Sequence, residues 1–211
     1  MQNVQTTRRR RGRPPKDAVD YNETRETLLR AGLEVLTEKG FSASGLDEIL
    51  RRVSIPKGSF YHYFASKEAF GAELIDRYAG YFANKLDKIL SDESVSPLQR
   101  LRNFTADTTQ GMARHNYKRG CLVGNLGQEM GSLPEPFRAQ LSGVFTDWQS
   151  RVERCLLASQ EAGEIPPASD CARLAAVFWI GWEGAVLRAK LEQNAEPLNL
   201  FCEFFFAALT G

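Results

Sequence analysis

The chain has 211 residues, and its 43% hydrophobic and 25% charged fractions are typical of a water-soluble folded protein. No stretch is as long as the roughly 18 apolar residues of a membrane span, and no apolar segment follows the N-terminal arginines, so a membrane span and a signal peptide are excluded. We therefore expect a cytoplasmic protein without a membrane partner.

The formal net charge of +1 conceals an uneven distribution of charge along the chain. Residues 1–67 carry 13 basic and 8 acidic side chains, whereas residues 68–211 carry 14 and 18. A basic N-terminal part followed by an acidic remainder indicates a nucleic-acid-binding module joined to a second domain.

Residues 1–20 are polar, basic and proline-containing, without apolar periodicity, which predicts a disordered arm. Its segment Arg10-Arg11-Gly12-Arg13-Pro14 is similar to the R-G-R-P core of AT-hook segments. Arginines of this kind enter narrow A·T-rich minor grooves, which favours DNA contacts by Arg10, Arg11 and Arg13. A tail that binds phosphates without regard to sequence accounts for the same arginines equally well.

Through the rest of the chain, apolar residues recur with the period of an α-helix. The N-terminal helices are predicted from Thr24 to Lys39 before Gly40, after an N-cap at Ser44, from Ser59 to Phe64, and from an N-cap at Ser66 to about Leu90. Later helices are predicted from Ser96 to Ala113, from Leu133 to Gly163, from Ser169 to Leu191 and from Glu196 onwards, while residues 120–130 are ambiguous.

Alternating strand patterns are absent, so the predicted fold is all-α with about nine helices. We expect the arm at residues 1–20, a helix-turn-helix domain at residues 21–67, and a ligand-sensing and dimerisation domain at residues 68–211.

Residues 46–67 predict two short helices joined by a tight turn, a helix-turn-helix. Phe60 and Phe64 are spaced i, i+4, so one face of the second short helix packs against the domain. The side chains turned outward offer hydroxyl and imidazole groups to phosphates and base edges, and they are Ser59, Tyr61, His62 and Tyr63. The DNA-binding set is completed by Gly58, which permits close backbone approach, and by Ser44, Lys57 and Lys67. An aromatic-rich core helix is the alternative interpretation.

The run GLDEILRRVSIPKGSFYHYFASKEAF resembles the signature of the tetracycline-repressor family of bacterial regulators. This resemblance implies an all-α homodimer that binds double-stranded operator DNA through an N-terminal three-helix domain. It implies a C-terminal ligand-binding domain whose last two helices form a four-helix dimer interface. It also implies recognition-helix contacts at Lys57, Ser59, Tyr61, His62 and Tyr63, and a phosphate clamp at Lys67.

Two C-terminal segments, RGCLVGNLGQEMG and FWIGWEGAVLRAKLE, are similar to the acrylate-responsive and electrophile-responsive (N-ethylmaleimide-type) members of that family. Cys121 occupies the position of their reactive cysteine. A helix N-terminus and the preceding Lys118 and Arg119 predict a lowered thiol pKa. A plain small residue in a pocket or core is the alternative for Cys121.

Two charged residues, Glu183 and Arg188, interrupt the most apolar helix. Three interpretations are open. The two residues pair with one another, they line a ligand cavity in which Arg188 binds a carboxylate, or they emerge at the surface. Trp179 and Trp182 are candidates for the pocket wall, although bulky aromatics on such a helix also suit core or dimer packing. With Cys121 and Asn125, these four residues form the predicted ligand-binding set.

The sequence therefore predicts a sequence-specific repressor that a small molecule, such as acrylate or a related unsaturated carboxylate or electrophile, releases from its operator. The alternatives are a redox or electrophile sensor acting covalently through Cys121, and an effector-independent architectural DNA-binding protein. The motifs G-x-S-x-G, H-E-x-x-H and G-x-G-x-x-G are absent, which argues against an enzyme. No C-x-x-C pair occurs and the two histidines are far apart, so we expect neither a metal nor a cofactor.

Overall fold

The computed structural model describes residues 18–210, with side chains described from Asp20 onwards. Every regular element in this range is helical, in agreement with the predicted all-α class. The nine described helices are α1 (Ala18–Lys39), α2 (Leu46–Arg52), α3 (Lys57–Phe60), α4 (Lys67–Leu90), α5 (Pro97–Arg114), α6 (Leu122–Gln128), α7 (Pro136–Glu161), α8 (Cys171–Glu192) and α9 (Glu196–Thr210). None of them combines the length and apolar character that crossing a membrane requires.

Local sequence signals set several helix ends where they were predicted. The Ser66 hydroxyl accepts a hydrogen bond from the Ala69 amide (3.1 Å), and the Asp170 carboxylate accepts one from the Arg173 amide (3.0 Å). Both side chains satisfy amide groups that a helix leaves free at its start. Gly40 ends α1 with a φ of 81°, a conformation that residues with a Cβ rarely adopt.

Three predicted details of the N-terminal helices are wrong. Residues 18–20, expected in the arm, form the first turn of α1, where the carboxylate of Asp20 complements the helix dipole. Ser44 does not cap α2, because Gly45 occupies that position and the buried Ser44 hydroxyl donates to the Gly40 carbonyl instead. The third helix ends at Phe60 rather than Phe64, and a turn continues through Tyr63.

The short helix α2 packs on α1, and α3 packs on α2 and contacts the start of α4 through a cluster of phenylalanines. Phe60 and Phe64 are buried as predicted, with ring centroids 5.3 Å apart, and both contact Phe70 of α4 edge-on. This cluster joins the helix-turn-helix to the long helix that continues into the second domain. The position of α3 is therefore coupled to α4 by aromatic packing.

Helices α4, α5, α7, α8 and α9 pack around an aromatic core. Phe82 of α4 contacts Trp148 of α7 at 4.5 Å between centroids, and Trp148 contacts Trp179 of α8 at 5.0 Å. One apolar face of α7 is buried against these helices, and it includes Leu141, Val144, Trp148, Val152 and Leu156. The short helix α6 contacts α1 on one side and α4, α7 and α8 on the other. The start of α6 therefore lies between the DNA-binding domain and the C-terminal helices.

Candidate functional site

The exposed edge of α3 and of the turn after it presents the predicted DNA-reading side chains. The side chain of Tyr61 is 59% exposed and His62 is also exposed, whereas the neighbouring Phe60 is fully buried. Nothing crowds Gly58, which leaves room for a phosphate backbone to approach the start of α3. This short segment has one buried apolar side and one exposed polar and aromatic side, which suits contacts with base edges in a DNA groove.

Several other residues of the predicted DNA-binding set are held by contacts within the protein. Lys57 forms an ion pair with Asp47 (3.1 Å), and Lys67 donates to the Phe41 carbonyl (3.1 Å) rather than extending towards solvent. The half-buried Tyr63 ring lies 4.8 Å from the Tyr21 ring.

Ser59 is half-buried at the edge of α3, and the burial of Ser44 removes its hydroxyl from the surface. Arg10, Arg11 and Arg13 lie outside the described residues.

A cavity of about 230 Å³ lies between α4, α5, α8 and the segment that enters α6. Its apolar wall includes Phe82, Met112, Trp182 and Val186. Its polar and charged wall includes Tyr78, Tyr81, Lys85, Arg114, His115, Arg119, Cys121 and Glu183. A cavity of this size with several convergent polar groups suits a small polar organic molecule.

Cys121 is 8% exposed at the cavity wall and is the N-cap residue of α6. Its Sγ accepts a hydrogen bond from the Gly124 amide at 3.4 Å. The predicted lowering of the thiol pKa is nevertheless wrong, because burial and the nearby Glu183 carboxylate raise the pKa of Cys121 well above its ordinary value. Arg119, expected to favour the thiolate, directs its guanidinium towards α1 instead.

Glu183 enters the cavity from α8 and approaches the start of α6. A Cβ added to Gly124 would lie 2.0 Å from Glu183 Oε2, so the glycine provides the space that this carboxylate occupies. Burial raises the pKa of Glu183 to about 7. Tyr78 of α4 adjoins the same pair, and burial together with the charges of Cys121 and Glu183 raises its pKa. A thiol, a carboxyl and a phenol therefore meet on one wall.

The predicted ligand-binding residues divide into two groups. Cys121, Trp182 and Glu183 line the cavity, but Arg188 does not, because it is exposed on α8 and pairs with Glu192 one turn further along. Trp179 is buried in the aromatic core, and Asn125 faces α1. The hypothesis of a Glu183–Arg188 pair and that of Arg188 as a carboxylate receptor are therefore wrong for this structure.

The cavity wall is bonded directly to the end of α1. The Thr37 carbonyl accepts hydrogen bonds from the Gly120 amide (3.2 Å), the Asn125 amide group (3.0 Å) and the Lys190 ammonium (3.3 Å). Arg119 forms ion pairs with Glu34 and Glu38 of the same helix. A change at Cys121 therefore has a short physical route to the DNA-binding domain.

Sequence reasoning missed the α4 and α5 side of the cavity. Tyr78, Tyr81 and Lys85 are spaced i, i+3 and i+7, a helical face that combines polar tips with apolar bodies. That spacing is visible in the sequence, but it does not reveal which other helix the face meets. His115 and Arg119 flank a turn whose Asn116 and Tyr117 have positive φ, and no sequence pattern indicated that conformation.

An apolar stripe runs along the outer faces of α8 and α9. Ile180 and Leu191 are 73% and 74% exposed, and Phe204 of α9 is 76% exposed. Gly184 lies between Ile180 and Leu191 with open space above it, whereas Gly181 faces inward and receives the ring of Phe201. Of these two glycines, only Gly184 is open to a partner.

Comparison with known proteins agrees with these features. Residues 28–74 match the family described as bacterial regulatory proteins, tetR family, and residues 97–205 match the tetracyclin repressor-like C-terminal domain. The chain belongs to the tetR family, a family of DNA-binding transcription regulators.

Two relatives cover almost the whole chain. Transcriptional regulator AcuR of Cereibacter sphaeroides is 54% identical over 93% of this chain and 89% of its own length. The HTH-type transcriptional repressor NemR of Escherichia coli strain K12 is 30% identical over 84% and 89%.

Two crystal structures of related proteins resemble this structure over most of the chain. That of regulatory protein TetR from Rhodobacter sphaeroides has a TM-score of 0.85 at 54% identity, covering 86% of this chain and 96% of that one. The reduced form of E. coli NemR has a TM-score of 0.79 at 30% identity, covering 87% and 95%.

Proposed function

We propose that this chain is a homodimeric repressor that a small α,β-unsaturated carboxylate or related electrophile releases from operator DNA. The observation that carries the proposal is the cavity whose wall, from Arg119 to Cys121, is bonded to α1 of the DNA-binding domain. The similarity to proteins named as a transcriptional regulator and a transcriptional repressor supports the same role.

The effector class follows from the chemistry of the cavity. Its volume of about 230 Å³ accommodates only a small molecule, and its mixed apolar and cationic lining suits a short carbon chain with an acidic group. Cys121 places a thiol at the same wall, so an acceptor double bond would lie beside its sulfur. Binding without covalent reaction and adduct formation at Cys121 are both consistent with this geometry.

Dimerisation is proposed through the apolar stripe of α8 and α9. A large exposed apolar area on two adjacent helices is typical of a surface that a partner covers. A two-fold arrangement would present two copies of α3 about 34–36 Å apart, one turn of DNA, in the binding state. An effector that prefers the other spacing of the two copies lowers operator affinity by its differential affinity for the two states.

Operator binding measured with and without effector tests the proposal. Acrylate and N-ethylmaleimide are the probes, and propionate is the saturated control of the same size and charge as acrylate. We expect the unsaturated compounds to release DNA and propionate to do so much less. Protection of a short palindrome in footprinting is expected, whereas diffuse protection of A·T-rich DNA that no compound changes would identify an architectural protein instead.

The variant Cys121→Ser separates the two modes of sensing. Loss of the N-ethylmaleimide response with a retained acrylate response assigns acrylate to non-covalent binding. Loss of both responses assigns the release of DNA to the thiol.

A further inference from the structure

The wall of the cavity holds a thiol that its surroundings keep protonated. Cys121 is buried, its neighbour Arg119 is engaged by α1, and the negative charge of Glu183 opposes a second negative charge on sulfur. A protonated thiol is a poor nucleophile, so a reaction at Cys121 needs a group that removes the proton as the sulfur attacks.

We propose that Glu183 accepts the Cys121 proton when the thiol adds to an α,β-unsaturated effector, and that it returns this proton to the product. The inference rests on the proposed effector chemistry. It gives Glu183 the role of general base and then general acid, rather than that of a passive part of the cavity wall.

The packing of α6 against α8 provides the geometry for this role. Gly124, one helical turn after Cys121, leaves the space in which the Glu183 carboxylate sits. A Cβ added there would lie 2.0 Å from Glu183 Oε2 and 3.7 Å from Cys121 Cβ, so the two side chains share one side of α6. The thiol, the carboxyl and the cavity share one boundary, so an acceptor bound in the cavity meets both groups. The raised pKa of Glu183, about 7, suits a group that both takes and gives a proton near neutral pH.

Among the described residues, the Glu183 carboxylate forms no ion pair, because the cations that line the cavity pair with other residues or lie on its rim. Lys85 of α4 pairs with Asp107, and Arg119 pairs with Glu34 and Glu38. Arg114 and His115 lie on the rim at the end of α5, and Tyr78 and Tyr81 face the cavity from α4. The carboxylate is therefore available to accept a proton.

The reaction balances without an added oxidant or reductant. The thiol proton moves to the Glu183 carboxylate while Sγ forms a bond to the β carbon of the acceptor, and the electron pair of the double bond moves onto the α carbon and its carbonyl. The Glu183 carboxylic acid then donates its proton to the α carbon. The product is a saturated thioether, and the Glu183 carboxylate is regenerated.

The test is the rate at which N-ethylmaleimide labels Cys121 in the full-length protein from pH 5.5 to 9. It is followed by mass spectrometry of proteolytic peptides, because Cys155, Cys171 and Cys202 are also free thiols. In the wild-type protein we expect the rate to rise with pH and to level off near pH 7, where Glu183 becomes ionised. Glu183→Gln should react at least about tenfold more slowly at pH 7.5 and should lose that inflection. Glu192→Gln, on the exposed end of the same helix, is the matched control and should leave the profile unchanged.

A slower or a faster labelling rate in Glu183→Gln distinguishes a general base from a carboxylate that only repels the thiolate. If the carboxylate only suppresses the thiolate, the glutamine variant will react as fast as the wild type or faster, and the inference is overturned. Glu183→Asp keeps a carboxylate in a shortened side chain and should retain the inflection at an intermediate rate. Adduct formation that is independent of Glu183 overturns this inference alone, whereas the absence of any wild-type adduct overturns the covalent effector chemistry as well.

Discussion

Arg119, at the wall of the cavity, lies with its Nε 3.2 Å from Glu38 Oε1 of α1. The same carboxylate is 3.1 Å from Arg52 of α2, so one glutamate joins the cavity to the helix-turn-helix. Burial acts to raise the pKa of Glu38, but hydrogen bonds from Arg52 and Arg119 outweigh it and lower the pKa. An effector that draws Arg119 into the cavity would weaken this link.

We expect Arg119→Gln to reduce the effect of acrylate or N-ethylmaleimide on operator affinity. The expected loss of coupling is about 0.5–2 kcal/mol, because the ion pairs with α1 are removed while the cavity remains. Fluorescence anisotropy with and without the compound measures it. Arg138→Gln, which breaks an exposed ion pair with Glu135, is the control. An unchanged response in Arg119→Gln would show that the signal bypasses this link.

We expect Ile180→Asp to convert the proposed dimer to a monomer and thereby to weaken operator binding. A charge placed at the centre of an apolar interface costs about 3 kcal/mol or more when it has no partner. Light scattering after size exclusion measures the mass, and Gln99→Asp at an exposed position of α5 is the control. A dimer that survives the substitution would place the interface elsewhere.

We expect Tyr61→Ala to weaken operator binding by about 1 kcal/mol or more, because we propose that its exposed ring and hydroxyl contact the DNA. The control is Gln99→Ala, at an exposed position of α5 that lies outside both the cavity and α3. Operator binding is measured without effector. Equal affinities of the two variants would contradict a reading role for Tyr61.

Deletion of residues 2–16 is expected to weaken operator binding and to flatten its dependence on salt. The deleted segment carries six basic residues and no acidic one. Each phosphate contact contributes roughly 0.9 to the slope of log K against log salt, so the slope should fall by roughly 3 or more. A slope that does not change would mean that the arm makes no contact with DNA.

The free energy of unfolding should fall as the pH rises from about 4.5 to about 7, because of Glu183. Its pKa is about 7 in the folded protein and near 4.5 when unfolded, so between these values the folded state holds the proton more tightly. Rising pH removes that advantage. Above pH 7 the ionised Glu183 lowers the free energy of unfolding by a constant amount of no more than about 3 kcal/mol. Urea unfolding at fixed protein concentration should show a flatter profile in Glu183→Gln. Parallel profiles would contradict the raised pKa.

Local signals in the sequence determined the helical class, most helix ends and the two sides of α3. Ser66 and Asp170 cap their helices through contacts three residues away. Phe60 and Phe64 share a face because the turn after α3 keeps an i, i+4 hydrogen bond from the Phe64 amide to the Phe60 carbonyl. Such contacts depend on neighbours in the chain, so spacing alone predicts them.

The tertiary structure alone decided the chemistry of the cavity. Lys118 and Arg119 precede Cys121 in the sequence, yet the guanidinium of Arg119 bonds to Glu38, 81 residues away. The charge that raises the pKa of the thiol comes instead from Glu183. Arg188 and Glu183 differ by five residues, but one points into solvent and the other into the cavity. A pKa is set by burial and by the charges that folding brings near, and neither is encoded in adjacent positions of the chain.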